Sequence, residues 1–365
     1  MTKLFAHSLL AVTLASLSAA PLQAQQAAAP AAAVPDPAKV ADYKALQRLD
    51  QRLATVGFRL QKAATPWCTE TEYQMGWVLA DRLQYPAADQ SAAARSYGTS
   101  WPGAGDIAIA AVAKDSPASR VQFHVGEGVL AIDDVDPAAL TANGKTSKKA
   151  SKKGNSFDRM GALEAAMIER FADGHANVRI QSPVRSGQAT MLSATIPVPL
   201  ERVCASLISL HVGSDLGAGA DGRRVRINHA LALYTKDDNE LAWVVAHELA
   251  HNILGHPQRL KKAKINRGLF QQFGKSAKLT RQTEDEADRL SMWLMVKAGY
   301  DPAAALRFWE RYGPEHDSPL IRSATHSSWK DRMAVLQVET GVAAAALGSN
   351  PEARPPVLDA RKGTQ

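Results

Sequence analysis

The sequence predicts an α+β protein, with a β-rich region over residues 66–200 ahead of a predominantly helical region over residues 201–342. Two textures carry this expectation. Short β-type runs separated by Gly, Pro and Asp turns fill the first region, and from about Glu201 the apolar residues recur mainly at helical spacing. A further stretch of helical spacing, within residues 38–65, places one packing helix before both.

The 365 residues suffice for one large domain or two ordinary ones, and 45% hydrophobic with 22% charged residues is a globular balance. The formal charge of +7 owes much to Lys145, Lys148, Lys149, Lys152 and Lys153, without which it falls to +2. These lysines sit in a Gly-, Ser- and Asn-containing run, the lysine-rich loop 143–156, which reads as a solvated loop. No nucleic-acid partner is therefore expected.

Taken in order, residues 1–24 have the form of a secretory signal peptide. Lys3 precedes a mostly apolar stretch from Leu4 to Ala20, and small residues stand around Ala20 and Ala24. The expectation is removal after export across the inner membrane, with the periplasm as destination in a Gram-negative host. No later run of 18 apolar residues exists, so the mature chain is expected not to span a membrane. Residues 25–37, rich in Ala, Pro and Gln, read as a disordered linker. Val40, Tyr43, Leu46, Leu49 and Leu53 mark one face of the N-terminal helix.

In the β-rich region the strand-like runs are 106–112, 121–125 and 129–132, followed by a helix over 157–171 closed by Asp173-Gly174 and a further run over 176–181. The segments IAIAAVAKDSPASR and VGEGVLAIDDVDP resemble a PDZ domain, although Glu127 stands where that pattern usually has Asp and the lysine-rich loop is an insertion. The resemblance implies binding of extended peptides along an exposed sheet edge. At the other end, residues 343–365 contain Pro351, Pro355 and Pro356 without periodicity and read as a flexible tail. The two cysteines, Cys68 and Cys204, have no metal-binding spacing; an oxidising compartment favours a disulfide between them, with two buried thiols as the alternative.

The chemistry concentrates in DDNELAWVVAHELAHNILGHP. Asp237 and Glu240 have capping-box spacing, Gly255 and Pro257 form a stop signal, and the two bound a helix over about 238–254. His247 and His251 are four residues apart and share a face, so both imidazoles reach one metal ion. Glu248 is adjacent to the first and reaches a metal-held water without ligating. Apolar Leu241, Val244, Val245, Leu249 and Ile253 surround these polar groups, which need a metal or hydrogen bonds to compensate their burial.

A zinc site of the hydrolytic type takes three protein ligands and leaves the fourth position to water. The segment TEDEADRL offers Glu284, 33 residues after His251, as the third ligand and Asp288, four residues on, as the acceptor that fixes a ligand histidine's tautomer. A solvated acidic first helical turn is the competing reading of this segment. Glu286 points away and, with Thr283, fits a capping box. His211, His229 and His256 read as structural or exposed.

HELAHNILGH, then EDEADRL, then Thr325-His326-Ser327-Ser328-Trp329-Lys330-Asp331-Arg332 resemble the zinc peptidase family of the CAAX prenyl endopeptidases, HtpX and BepA, over roughly residues 200–340. The resemblance implies one Zn²⁺ per chain held by His247, His251 and Glu284, with Glu248 as catalytic base, Asp288 behind the ligands, and protein or peptide substrates. His326 matches a late histidine near the active site and Arg332 the arginine after it. His326 then either donates to the oxyanion or occupies the open metal position and silences the enzyme. Relatives often carry His-Pro where this chain has His326-Ser327. A peptide-binding or chaperone-like module with a silenced zinc site is the alternative function, and the oligomeric state is not specified.

Overall fold

The computed structural model describes residues 35–101, 105–140, 156–183, 192–265, 274–316 and 328–360. Residues 1–24, read above as a signal peptide, most of the 25–37 linker, most of the lysine-rich loop and His326 lie outside the described residues. Asp36 caps the first helix by accepting from the Ala38 N–H, and Pro37 occupies its first turn, so α1 (Pro37–Ala64) starts cleanly. One side of α1 buries Leu49, Leu53, Val56 and Leu60 in the main core. Its Gln47 donates to the Ala110 carbonyl, and Gln51 exchanges hydrogen bonds with the Val112 main chain. The helix thus packs on both the sheet and the helical region.

After α1 come β1 (Thr71–Gln74), β2 (Trp77–Asp81), α2 (Gln90–Tyr97), β3 (Ile107–Val112), α3 (Pro117–Arg120), β4 (Gly128–Ile132), α4 (Ser156–Arg170), β5 (His175–Gln181), β6 (Ser193–Pro199) and β7 (Glu201–Cys204). Strands β2 to β6 form an antiparallel sheet in simple sequential order. Ile107, Ile109, Val129, Ile132, Val178 and Leu163 fill its core. Strand β1 pairs instead with β7, Thr71 opposite Cys204, so the excursion between them leaves and returns at one neck. A Cys68–Cys204 disulfide closes the neck, and Gln61 on α1 donates to the carbonyls of Cys204 and Ser206 beside it.

The remainder comprises β8 (Leu207–His211), β9 (Ala218–Ala220), β10 (Arg224–Asn228), α5 (His229–Tyr234), α6 (Asp238–Ile253), α7 (His256–Lys262), α8 (Gly274–Lys297), α9 (Ala303–His316), α10 (Trp329–Ser349) and α11 (Val357–Ala360). Strand β10 lies between β8, to which it is parallel, and β9, to which it is antiparallel. Helix α6 packs against α1, α8 and α9 around Leu241, Val245, Leu249, Leu290, Met292 and Trp293. Glu339 on α10 ties the back of α8, accepting from Trp293 Nε1 at 2.8 Å and pairing with Arg289 at 2.8 Å.

Three expectations change. The region after Glu201 opens with strands, not helices: in Arg224-Val225-Arg226-Ile227-Asn228 the apolar residues alternate, and Val225 and Ile227 are fully buried. Residues 121–125 form no strand, because the chain turns after α3 with Gln122 at φ 61° and only Phe123 of this run buried deeply. The tail is ordered to Ala360: α10 runs to Ser349, and Leu347 and Leu358 join the main core. The β-rich and helical regions belong to one compact unit, Pro35–Gln365, in which α1 and the neck join them. No described helix is long and apolar enough to cross a membrane.

The disulfide joins residues 136 apart in sequence, so it constrains a long loop of the unfolded chain. Reduction is expected to lower unfolding stability by about 2–5 kcal/mol. Urea denaturation with and without reductant measures this, with Cys68→Ser as the matching variant.

Candidate metal centre

Helix α6 begins where Asp237 accepts from the N–H groups of Asn239 and Glu240, both at 2.9 Å. Glu240 does not complete the expected reciprocal cap. Its carboxylate accepts from the Lys236 N–H and pairs with Arg311 of α9. The helix ends at Ile253, Gly255 takes φ 67°, and His256-Pro257 open α7 immediately. This sharp reversal turns His256 back toward the face that carries His247 and His251.

Helix α8 lies across that face and presents Glu284. The three predicted ligands meet: His247 Nε2 and His251 Nε2 are 3.2 Å apart, and the Glu284 carboxylate oxygens lie 3.4 Å from the first and 3.6 Å from the second. Ligands about 2.0–2.1 Å from a tetrahedral zinc stand about 3.3 Å from one another. The donor triangle therefore fits one face of such a site, and it is a cluster able to hold a metal ion. Glu248 is half-buried on the same helix, one residue past His247.

Each histidine has backing of its own. Behind His247, Asp288 Oδ1 lies 3.0 Å from Nδ1, in a contact not aligned for a linear hydrogen bond. Asp288 is in turn gripped by Arg332 of α10 through two bonds of 2.7 and 2.6 Å, and the guanidinium lies 4.6 Å from the centre of the Trp309 ring. Behind His251, Nδ1 lies 2.9 Å from Nδ1 of His256, a residue fully buried rather than structural filler or exposed. Nε2 of His256 then meets Glu286 at 3.0 Å, and Arg259 of α7 pairs with the same carboxylate at 2.7 Å.

This chain assigns protons. With Nε2 of His251 turned toward the donor triangle, its Nδ1–H donates to His256, whose Nε2–H donates to Glu286. The sequence held one signal for it: Gly255, a left-handed stop two residues past the helix end at Ile253, predicts that the next side chain folds back. It also corrects the reading of Glu286. Thr283 lies inside α8, fully buried and donating to the Thr280 carbonyl, so no helix start exists there for a capping box.

Electrostatics follow from crowding two carboxylates against two imidazoles. Burial opposes protonation of His247, but Asp288 and Glu284 outweigh it and raise its pKa to about 10. His251, for which burial dominates, is lowered to about 3 and stays neutral. Burial favours neutral carboxyls, yet His247 and His251 hold Glu284 ionised and Arg332 and His247 hold Asp288 ionised. Burial likewise opposes the charge on Glu286, while His256 and Arg259 bring its pKa down to about 2.

The arrangement defines a class: a metal centre of the hydrolytic type, with two helix-borne imidazoles, one carboxylate and an adjacent glutamate. A family model described as Peptidase family M48 matches residues 216–274 and supports the zinc metallopeptidase family, hydrolases that cut proteins. The match takes in His247, Glu248, His251 and His256, and ends before Glu284. No curated relative matches the chain.

Two measurements test the backing residues. Because His256 orients a ligand, His256→Ala is expected to weaken zinc binding by about 10–100-fold, read by competition with a chromogenic chelator. Glu286, with a pKa lowered from 4.5 to about 2, contributes stability that is fully present above pH 4.5 and is lost as the pH falls toward 2. Glu286→Gln is expected to flatten that segment of the stability profile, measured by denaturant unfolding across the acid range.

Proposed function

We propose that the chain is a secreted, zinc-dependent endopeptidase that hydrolyses peptide bonds of unfolded or misassembled envelope proteins in the periplasm. The observation that carries this reading is the 3.2–3.6 Å donor triangle of His247, His251 and Glu284. A zinc ion held by His247, His251 and Glu284 would supply Lewis acidity there, enough to bring the pKa of water toward neutrality and to polarise the scissile carbonyl. Glu248 takes the proton of the attacking water and hands it to the leaving nitrogen. Asp288 and Arg332 on one side, and His256 with Glu286 on the other, keep the ligand rings from rotating. His326 serves as oxyanion donor or as an inhibitory ligand.

Export rests on the character of residues 1–24, and envelope substrates rest on the family resemblance and that address. The PDZ resemblance of the β-rich region supports a recruiting role, in which an extended peptide adds to its sheet edge before or during cleavage.

Casein digestion by the mature chain, beside Glu248→Gln and with zinc content determined for both, tests this. The expected result is one zinc in each and cleavage by the wild type alone, with the variant down by at least about a hundredfold, as for loss of a general base. Cleavage retained in the variant would remove Glu248 from its role. If neither cuts although both hold zinc, His326→Ala distinguishes a latent protease, which regains activity, from a binding module, which stays silent.

A further inference from the structure

Away from the metal centre, a cleft of about 560 Å³ lies between the β-rich and helical regions. Its walls are β2, β8, α1 and α4, and among the described residues β2 pairs only with β3 and β8 only with β10. Two sheet edges with open hydrogen-bonding sides therefore face one cavity. Helix α4 contributes an apolar side, Met160, Met167 and the 43%-exposed Ile168. Between them stands Gly161, where an added Cβ would meet no atom within 4 Å, so the helix leaves room at this point.

Three carboxylates line the cleft, and they are not alike. Glu72 pairs with Arg223 at 2.6 Å and Glu164 with Arg224 at 2.5 Å. Asp50, on α1, has no hydrogen bond or ion pair among the described residues; burial raises its pKa to about 7, and no cation among the described residues offsets it. Burial raises the pKa of the Tyr85 and Tyr97 phenols, and the nearby Asp50 carboxylate adds to the shift of both. Those rings also line the cleft, joined by a 2.9 Å bond between their hydroxyls, and Tyr43 packs edge-on against Tyr85. An uncompensated carboxylate beside aromatic rings is a receptor for an organic cation.

We propose that this cleft docks an extended peptide segment along the β2 edge and selects a lysine or arginine in it, whose cationic side chain pairs with Asp50 beside Tyr85 and Tyr97. The apolar side of α4 takes the neighbouring side chains that point the same way. This rests on the recruiting role given above to the β-rich region, and adds the chemistry of the recruited segment. The acidic subsite belongs to α1, outside the strand-and-helix unit, so the preference exists only in the intact chain.

Fluorescence anisotropy tests it with an N-terminally labelled, amidated nonapeptide of alternating valine and threonine. The central residue is lysine, norleucine or glutamate, and the full chain carries Glu248→Gln to keep the peptide intact. The lysine peptide is expected to bind about tenfold more tightly than the norleucine one, and the glutamate one most weakly. Asp50→Asn is expected to bring lysine and norleucine within about twofold, and Gly161→Phe to weaken all three by at least about tenfold by filling the cleft. Equal affinity for lysine and norleucine, a preference that survives Asp50→Asn, or binding unaffected by Gly161→Phe would each overturn the proposal and leave recruitment standing. Absence of binding by any peptide would overturn both, whatever the casein result.

Discussion

The buried pairing of Asp288 with Arg332 is the contact on which the metal centre depends. It takes α8 and α10 and places the carboxylate against His247 of α6, so three helices from separate parts of the chain are positioned by one charged group. Both side chains are almost wholly buried. Removing one partner of such a pair costs about 3–5 kcal/mol because the other is left charged in a poor solvent. A pair of leucines there would pack, but would not orient an imidazole.

The second imidazole is held by a different device. His251 leans on His256, and the charge that finally compensates it, Glu286 with Arg259, lies one residue further away. Two ligands of one metal therefore have unequal backing. Both face Glu284, but His247 also has anionic Asp288 behind it, which favours its protonated form, while burial keeps His251 neutral with only the His256 ring behind it. Without metal, the proton on His247 stands in for part of the cation's charge between the carboxylates. A metal ion held by His247, His251 and Glu284 would take over that compensation.

The β-rich region is mounted on this helical body by a narrow neck and one long helix. The β1–β7 pair, the disulfide and the Gln61 bonds fasten its base, and α1 runs from that neck under the sheet. Arg223 and Arg224 at the start of β10 reach Glu72 and Glu164 across the same junction. Asn252, adjacent to His251, bonds the Arg224 carbonyl and the Gly222 N–H. The junction and the metal helix are thus in direct contact through one asparagine.

Local chemistry made much of this legible. The four-residue spacing of His247 and His251, the Asp237 cap and the Gly255 stop are properties of a single helix, and the shared face of Glu284 and Asp288 is a property of another. Such features depend on backbone periodicity, which sequence determines without help from the rest of the fold. Strand β10 is equally legible in its alternation, but the helices around it are stronger signals. Other features had no local signature. That α8 starts well before Thr283, that Leu358 finds a core site beyond three prolines, and that His256 rather than a carboxylate supports His251 all depend on which surface a distant segment offers. The sequence by itself determined the donors and their spacing. The tertiary structure decided their partners, because the free energy of a buried polar group is set by the groups that surround it in space.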